Sequence, residues 1–514
     1  MASELTPLSA RGVMEARVGG LPLAGWMLIC VVLGLGLRVL ALVNYGLAID
    51  DGATLWAMTL PWGEMIANRF AKGHLPTFFL LFRVWTELAG TSLLAVRLPS
   101  LVWSLVAIPV AGLLGGRVGG RHGALIAMGL AALHPSVLRH AAELRMYSWL
   151  MVLGGLLVLA LLRLSDQPSA GRAAAAGGLH LALLSLHVGM PLVSVGVFGS
   201  VAGVGLWKRL PGRFFGWLGA AFAVPVVAVV PFLVHLKSQL DMKEYDKFLA
   251  VNPHETVVRV LYEVMAGIGA GAPSGVMFCV GVLLPVLALG LTLVSRRPGR
   301  SDMMAFSSWE ATALCLGAGV GGPLVGYAVS VSGPQVLGDS RYFIPSTIPL
   351  IALMSAALAS VRPDRRLVYL GVFVPFAVFA GMYFDRGFGR ARRVVMDHGS
   401  GMNGLVADLK KQAPEGSQLL EVREATAETA MVKFYLGEDH GFRRVALEAK
   451  EPREEAVRKL REATDANASL FYVFYSDPND EVSSLLREAF PERHEKRHKV
   501  GRCRWLEFRP AAGP

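Results

Sequence analysis

Charge is scarce in this sequence. Asp, Glu, Lys and Arg make up 17% of its 514 residues, whereas 53% of the residues are hydrophobic. A soluble protein of this length carries more charge and shorter apolar runs. Here the runs reach the roughly 17–25 residues that a helix needs to cross a hydrocarbon core of about 30 Å. The composition therefore excludes an ordinary soluble protein and predicts a polytopic α-helical membrane protein.

Cysteine is equally scarce, with four residues in the chain. Cys30, Cys279 and Cys315 lie in apolar runs, and Cys503 stands alone in the polar C-terminal part. Neither a disulfide framework nor a metal-ligand spacing follows from them. Ionisable residues are almost missing from the middle of the apolar runs, where ion-coupled transporters usually carry such groups. The distribution favours chemistry at the membrane surface over transport.

The apolar runs predict about eleven transmembrane helices, with twelve or thirteen as alternatives. The predicted spans are at about 21–43, 98–114, 123–138, 147–162, 173–189, 191–206, 215–235, 272–294, 309–331, 342–361 and 367–384. The first span is too long for a signal-peptide core and lacks a clean cleavage site, so we expect it to be retained.

Basic residues occur in every second loop between the spans. These loops contain Arg117 and Arg121; Arg163 and Arg172; Lys208, Arg209 and Arg213; Arg296, Arg297 and Arg300; and Arg362, Arg365 and Arg366. The positive-inside rule makes them cytoplasmic, together with the N-terminal tail. They also explain the net charge of +11, so no nucleic-acid partner is predicted. Eleven crossings then place the C-terminal part outside, and the compact loops favour a bacterial inner (cytoplasmic) membrane.

The predicted domains are a cytoplasmic tail (1–20), a transmembrane domain (21–389) and a C-terminal domain (390–514). An external loop, 44–97, contains the short apolar run Pro76–Leu88, with Arg83 and Glu87 at i,i+4. A short helix with a charged pair is typical of the membrane interface; a short tilted span is the alternative. Thr256–Gly271 is similar, and we expect it to be external.

The C-terminal domain alternates β-like and helix-like runs, which predicts a small α/β fold. The β-like runs are Gln418–Val422, Ser469–Tyr475 and Arg504–Phe508, and the helix-like runs are Asn403–Gln412 and Glu451–Thr464. The domain has no Gly-rich phosphate loop, His–Glu metal motif or Ser-nucleophile elbow. We therefore assign it no catalysis and expect it to cover the outer face or to contact an acceptor.

Two polar clusters lie in the external loop after the first span. Asp50 and Asp51 are adjacent carboxylates, and one of them could deprotonate an acceptor as a general base. The alternative is that they cap a helix that starts near Ala53. Lys72 and His74 follow and could contact an anionic headgroup, or could simply anchor the chain at the interface.

Two further clusters lie at predicted outer helix ends. Glu143-x-Arg145-x-Tyr147 combines a carboxylate with an arginine, which can grip phosphate with two parallel hydrogen bonds. A local ion pair with aromatic anchoring is the alternative. Arg341 and Tyr342 could likewise hold phosphate, although snorkelling explains them as well. His235 and Lys237 are weaker candidates of the same kind.

In this order the motifs resemble those of the GT-C superfamily of membrane glycosyltransferases, particularly the branch of protein O-mannosyltransferases and bacterial aminoarabinose transferases. The resemblance covers about residues 20–385. The matching segments are Asp50-Asp51, His74–Phe79 as a His-Pro-Pro-like stretch, an Arg-Leu-Pro-Ser turn at Arg97–Ser100, Glu143–Tyr147, and Arg341–Pro345. The family's acidic pair is usually Asp-Glu, and its first proline is Leu75 here.

The resemblance implies an inverting transfer of one sugar from a polyprenyl-phosphate donor to an acceptor on the extracytoplasmic face. Asp50 would be the base, supported by Asp51, and Glu143 would orient substrate. Arg145, Arg341 and Lys72 would neutralise the phosphate, with His74, Tyr147 and Tyr342 beside it. No cofactor and no metal are implied. The acceptor could be a protein, a lipid or a polysaccharide.

Two other functions remain open from the sequence. A flippase for polyprenyl-linked lipids would use the same arginines but would not need Asp50. A non-catalytic scaffold of the same fold would need none of these side chains for a sugar product.

Overall fold

A computed structural model describes most of the chain. The described residues are 15–44, 46–239, 252–266, 279–283, 308–332, 340–360, 400–414, 416–422, 442–447, 452–475, 481–500 and 503–510, with a few single residues between 284 and 290 and between 431 and 436. The chain divides into two compact units. One contains most of the apolar helices. The other contains Leu42–Met65, Glu143–Arg145 and Arg392–Pro514.

Helices account for nearly all of the described residues that precede the C-terminal domain. They are α1 (Leu23–Asn44), α2 (Ile49–Thr59), α3 (Trp62–Ala71), α4 (Thr77–Ala89), α5 (Leu93–Leu133), α6 (Pro135–His140), α7 (Tyr147–Asp166), α8 (Ala170–Leu186), α9 (Met190–Trp207), α10 (Gly212–Gln239), α11 (Pro253–Ala266), α12 (Ser308–Ser332) and α13 (Thr347–Ser360). A short strand pair, β1 (Arg17–Val18) and β2 (Leu21–Pro22), precedes α1, a π-helical turn forms at Cys279–Leu283, and a 3₁₀-helix at Ser340–Ser346 leads into α13.

Among the described residues, seven helices are long and apolar enough to cross a membrane. They include α1, α7, α9, α10 and α12. The predicted spans 98–114 and 123–138 together form the 41-residue α5, which contains a non-helical backbone at Gly120 (φ 63°) and so joins two helices across a kink. The predicted polytopic helical fold is confirmed. Span 367–384 and most of span 272–294 lie outside the described residues.

Two local predictions need correction. The Arg97–Ser100 segment is not a turn but part of α5, because Pro99 removes one main-chain hydrogen bond without ending the helix. The acidic helix α2 begins at Ile49 rather than near Ala53, so Asp50 and Asp51 lie in its first turn. By contrast, Arg83 and Glu87 in α4 form the predicted i,i+4 ion pair, at 2.8 Å.

The C-terminal domain is the predicted α/β fold. Its helices are α14 (Ser400–Gln412), α15 (Arg453–Ala463) and α16 (Glu481–Ala489), and its strands are β3 (Gln418–Val422), β4 (Arg443–Leu447), β5 (Leu470–Tyr475), β6 (His494–Val500) and β7 (Cys503–Arg509). The strand order is β4-β3-β5-β7-β6. β3 runs parallel to β4 and β5, and β7 runs antiparallel to β5 and β6. Residues such as Leu420, Leu460 and Leu486 form its core between sheet and helices.

Candidate active site

The two adjacent carboxylates at the start of α2 have different surroundings. Asp51 is fully buried. Its Oδ2 accepts a hydrogen bond from the Ala48 N–H at 2.9 Å, and its Oδ1 accepts one from the Leu144 N–H at 2.8 Å. Asp51 is therefore the third residue of the helix and caps it from inside, as expected for an acidic residue near a positive helix end. The same side chain also binds the Glu143–Arg145 segment to α2.

Asp50 presents its carboxylate differently. About 38% of its side chain is exposed, and Oδ1 lies 3.2 Å from Nη2 of Arg145. The Arg145 side chain is only 5% exposed. Glu143 is also buried, within the same segment. The structure thus brings Asp50, Asp51 and Arg145 together. Asp51 holds the backbone before α2 and the backbone next to Arg145, whereas the carboxylate of Asp50 is partly exposed.

The predicted residues of the transmembrane unit begin with Lys72 and His74, which follow α3. Gly73 has a positive φ of 78°, its N–H donates to the carbonyl of Phe70, and the His74 N–H donates to that of Arg69. These two hydrogen bonds are the Schellman arrangement, which requires the left-handed backbone that glycine adopts most easily. The turn leaves Lys72 exposed and His74 half-buried.

His74 lies against a buried ring of α4. Its ring centroid is 5.7 Å from that of Phe79, and the guanidinium of Arg69 lies 5.0 Å from the same phenyl ring. Ring contacts continue from Phe79 to Phe78 and from Phe78 to Trp149 in the first turn of α7. The aromatic residues of the predicted interfacial helix therefore connect His74 to the start of α7.

Tyr147 and Tyr342 are almost two hundred residues apart in the sequence and meet at one histidine. The ring centroid of His187 lies 6.4 Å from that of Tyr147 and 5.1 Å from that of Tyr342. The ring centroid of His140 lies 5.1 Å from that of Tyr147. Gly189 donates its N–H to Nδ1 of His187 at 3.1 Å. The neutral His187 ring therefore carries its proton on Nε2. We call His140, Tyr147, His187 and Tyr342 the ring row.

The ring row depends on a close backbone approach. A Cβ atom added at Gly189 would lie 2.8 Å from the Cβ of Tyr342, which is closer than real Cβ atoms come. Arg341 precedes Tyr342 in the 3₁₀-helix and is half-buried. The row thus places two predicted binding segments, around Tyr147 and around Arg341, beside each other.

Three positioning side chains escaped the sequence interpretation. Arg38 is a fully buried arginine of α1. It donates to the Ser104 hydroxyl at 2.7 Å and to the carbonyl of Gly34 within α1. It also donates to the carbonyls of Ala131 and Ala132, near the end of α5. As the single charged residue of an apolar run, it could have been noticed. Arg69 and His187 gave no sequence signal, because only the fold brings them to Phe79 and Tyr342. His235, a weaker prediction, contacts Phe70 edge-on at 4.8 Å.

The chain was compared with known proteins. No protein-family model matches it, and no curated protein matches it. Solved structures do match, among them two crystal structures of ArnT from Cupriavidus metallidurans. The structure bound to undecaprenyl phosphate gives a TM-score of 0.55 at 14% identity, and the apo structure gives 0.51 at 13%. Each match covers 94% of this chain and 98% of the ArnT chain. The chain has the fold of ArnT.

The match to ArnT over 94% of the chain confirms the fold that the resemblance implied, and the predicted small sheet is present in the C-terminal domain of this chain. At 14% identity the likeness to ArnT concerns the fold, so the roles of the individual side chains stay predictions. Within that fold, the described contacts form two groups. One contains Asp50, Asp51 and Arg145, and the other extends from His74 through the aromatic residues to the ring row.

Proposed function

We propose that this protein is a membrane glycosyltransferase that moves a single sugar from a polyprenyl-phosphate donor to an acceptor on the extracytoplasmic face, with inversion. The observation that carries the proposal is the accessible carboxylate of Asp50, which lies 3.2 Å from a buried guanidinium in a chain with the fold of ArnT. ArnT itself has been crystallised with undecaprenyl phosphate. A base beside a phosphate-binding cation suits a sugar phosphate donor.

The proposed reaction is a single displacement. The acceptor hydroxyl or amine attacks the anomeric carbon while the bond from that carbon to the phosphate oxygen breaks, which inverts the configuration. Asp50 takes the proton that the acceptor loses, and polyprenyl phosphate leaves with the bonding electron pair. General bases of this kind contribute roughly 10²–10⁴-fold to a rate.

The leaving phosphate gains negative charge, so cations near it stabilise the transition state. Arg145 suits this role because a guanidinium has five N–H donors and can contact a carboxylate and a phosphate, and its Nη2 lies 3.2 Å from Oδ1 of Asp50. Its burial also strengthens its electrostatic effect, since the local dielectric constant is low. On the resemblance of their motifs alone, we also assign Arg341 and Lys72 to phosphate binding, His74, Tyr147 and Tyr342 to donor binding, and Glu143 to substrate orientation.

The proposal places the reaction outside the inner (cytoplasmic) membrane. The alternation of basic loops supports a cytoplasmic N-terminus and an extracytoplasmic C-terminal domain. The multi-pass helical fold supports a lipid-linked substrate, because its long tail can stay in the bilayer while the sugar phosphate reaches the polar residues at the helix ends.

The experiment that tests the function is a mass-spectrometric profile of lipid-linked sugars in the native host. Its own gene copy is replaced by wild type, Asp50→Asn or Asp166→Asn. Asp166 is the matched control, because it is also an aspartate paired with an arginine, Arg117, at 2.9 Å. We expect one polyprenyl-phosphate monosaccharide to accumulate with Asp50→Asn only. Expression and thermal stability of both variants are measured in parallel.

The other functions give different outcomes. A flippase would keep its activity in the Asp50→Asn strain, and a scaffold would leave lipid-linked sugars and surface glycans unchanged. An unaltered profile with a folded Asp50→Asn protein therefore overturns the transferase proposal. Accumulation with both aspartate variants would show that loss of either arginine–aspartate pair disturbs the protein. That outcome would also contradict the assignment of Asp50 as the base.

A further inference from the structure

The acidic helix α2 belongs to the same compact unit as the C-terminal domain. This unit joins Leu42–Met65 and Glu143–Arg145 with Arg392–Pro514, although more than three hundred residues separate the first segment from the last. No catalytic motif was found in the sequence of the C-terminal domain. The C-terminal domain nevertheless belongs to one unit with the segments that contain Asp50 and Arg145, so a contact between the domain and these segments could affect the proposed site.

One hydrogen bond connects the C-terminal domain to the start of α2. The backbone N–H of Leu47 donates to the hydroxyl oxygen of Tyr435 at 2.8 Å. Leu47 is fully buried and lies two residues before the first residue of α2. The first N–H groups of a helix and of the residues leading into it have no partner within the helix, so a side-chain acceptor here determines where the helix begins.

Tyr435 is itself held by the domain. Its carbonyl oxygen accepts a hydrogen bond from Nζ of Lys410 at 3.0 Å, and Lys410 lies in the last turn of α14. α14 packs on strands β6 and β7 of the sheet. The tyrosine hydroxyl is thus attached to a folded domain through a short series of contacts, rather than to a loop alone.

The contact lies three residues before the proposed base in the sequence. Leu47 is followed by Ala48, whose N–H is held by Asp51, and Asp51 also holds the N–H of Leu144. Tyr435 and Asp51 therefore fix two consecutive N–H groups at the entry to α2. Asp50 lies in the turn that they fix, so its carboxylate moves whenever this entry moves.

We infer that the C-terminal domain is part of the catalytic machinery, because Tyr435 holds the entry of α2 and so positions the carboxylate of Asp50. Tyr435 is a positioning residue, because it acts through the backbone at the entry of α2. The inference rests on the proposed function, since it assigns Asp50 the role of base. It also gives the domain a task that needs no catalytic motif.

The effect on the reaction follows from the nature of the contact. Loss of one neutral hydrogen bond shifts the equilibrium between the native entry of α2 and displaced arrangements of it by roughly 2- to 10-fold. Small displacements of a reacting group lower the rate further, because transfer requires close alignment. We expect Tyr435→Phe to lower kcat by about 3- to 10-fold, with a smaller change in KM for the lipid donor, which does not depend on the base.

The test uses the purified full-length protein as wild type, Tyr435→Phe and Tyr327→Phe. Tyr327 is the matched control, because its hydroxyl is also hydrogen-bonded, to Nδ1 of His254 at 2.8 Å, within the transmembrane unit. Hydrogen–deuterium exchange is measured for the peptide that contains Leu47 and Ala48. Sugar transfer is measured with the donor identified by the lipid profile, for the single variants and for Tyr435→Phe combined with Asp50→Asn.

The inference predicts faster exchange at Leu47 in Tyr435→Phe only, together with a lower kcat. It also predicts that Tyr435→Phe causes no further loss once Asp50 is Asn, because there is then no base to position. Unchanged exchange, or faster exchange with the kcat of wild type, overturns the inference and leaves the proposed function intact. Additive losses in the double variant overturn it as well, since they indicate general destabilisation. If wild type transfers no sugar, the proposed function fails, and the exchange measurement alone decides whether Tyr435 anchors α2.

Discussion

The two ends of α7 are associated with arginine–aspartate pairs that differ in exposure. At the C-terminal end, Arg117 donates from Nη2 to both oxygens of Asp166, at 3.0 and 2.9 Å, and the two side chains are similarly covered, 16% and 20% exposed. Just before the N-terminal end lies Arg145, only 5% exposed, whose partner Asp50 is 38% exposed and approaches to 3.2 Å. One pair is closed and the other is open on its acidic side.

The difference indicates two tasks. A pair in which one guanidinium nitrogen serves both carboxylate oxygens and both partners are covered fixes one helix to another. Lys208 and Glu310, at 2.8 Å, form a second pair of this kind between the end of α9 and the start of α12. In the open pair, the buried arginine is held in place while the carboxylate can still reach a molecule from outside. A reactive group requires this combination of fixed orientation and access.

The largest expected difference between the open and the closed pair is in the rate of sugar transfer after the arginine of each pair is replaced by lysine. Arg145→Lys keeps the charge but loses the planar fork that can bind Asp50 and a phosphate at once. We expect a loss of transfer of about 10- to 100-fold, which is less than the roughly 10²–10³-fold caused by removal of one transition-state donor, because the positive charge remains. Arg117→Lys is the control and should keep most of the wild-type rate. The measurement is kcat/KM for the lipid donor, and equal losses in both variants would contradict the distinction between open and closed pairs.

The sequence was sufficient for the fold because membrane spans have a strong local signal. A run of about twenty apolar residues predicts a spanning helix without reference to the rest of the chain. In the C-terminal domain, β3, β5 and β7 were also predicted from local β-branched and aromatic residues. β4 was missed. So was β6, since its sequence HEKRHKV is almost entirely charged or polar. It pairs with β7 alone among the described strands, and an edge strand can carry such charge without burying it.

The site was less predictable because its geometry arises from contacts that are distant in sequence. The adjacent residues Asp50 and Asp51 have the same side chain, and nothing local indicates that Asp51 binds the N–H of Leu144 while Asp50 faces Arg145. His187 lies in an apolar run, and only the fold brings it to Tyr342. Motif order indicated which segments matter, whereas tertiary contacts determine which member of each segment is buried.

A smaller effect separates the two carboxylates by stability. Asp51→Asn leaves one good acceptor for two backbone N–H groups and removes the negative charge, so we expect a loss of about 1–3 kcal/mol in the free energy of unfolding. Asp50→Asn removes the charge of a carboxylate that is already 38% exposed, so we expect a smaller loss than with Asp51→Asn. Thermal unfolding of the detergent-solubilised variants measures both. Equal destabilisation by the two substitutions would mean that Asp50 is also a structural residue.

The smallest expected effect on the transfer rate concerns the ring row, of which Tyr147 is the first residue of α7. In Gly189→Ala, the new Cβ would lie 2.8 Å from the Cβ of Tyr342, so the tyrosine must move away from His187. Gly199→Ala is the matched control, because it lies within α9 and its added Cβ meets no atom within 4 Å. We expect transfer to fall about 3- to 10-fold with Gly189→Ala, since displacement of binding groups by a fraction of an ångström weakens alignment without removing a charge. Gly199→Ala should leave the rate unchanged and raise helix stability slightly. A wild-type rate in Gly189→Ala would show that the ring row packs the helices together without contributing to the reaction, which would confine the site to Asp50, Asp51 and the Glu143–Arg145 segment.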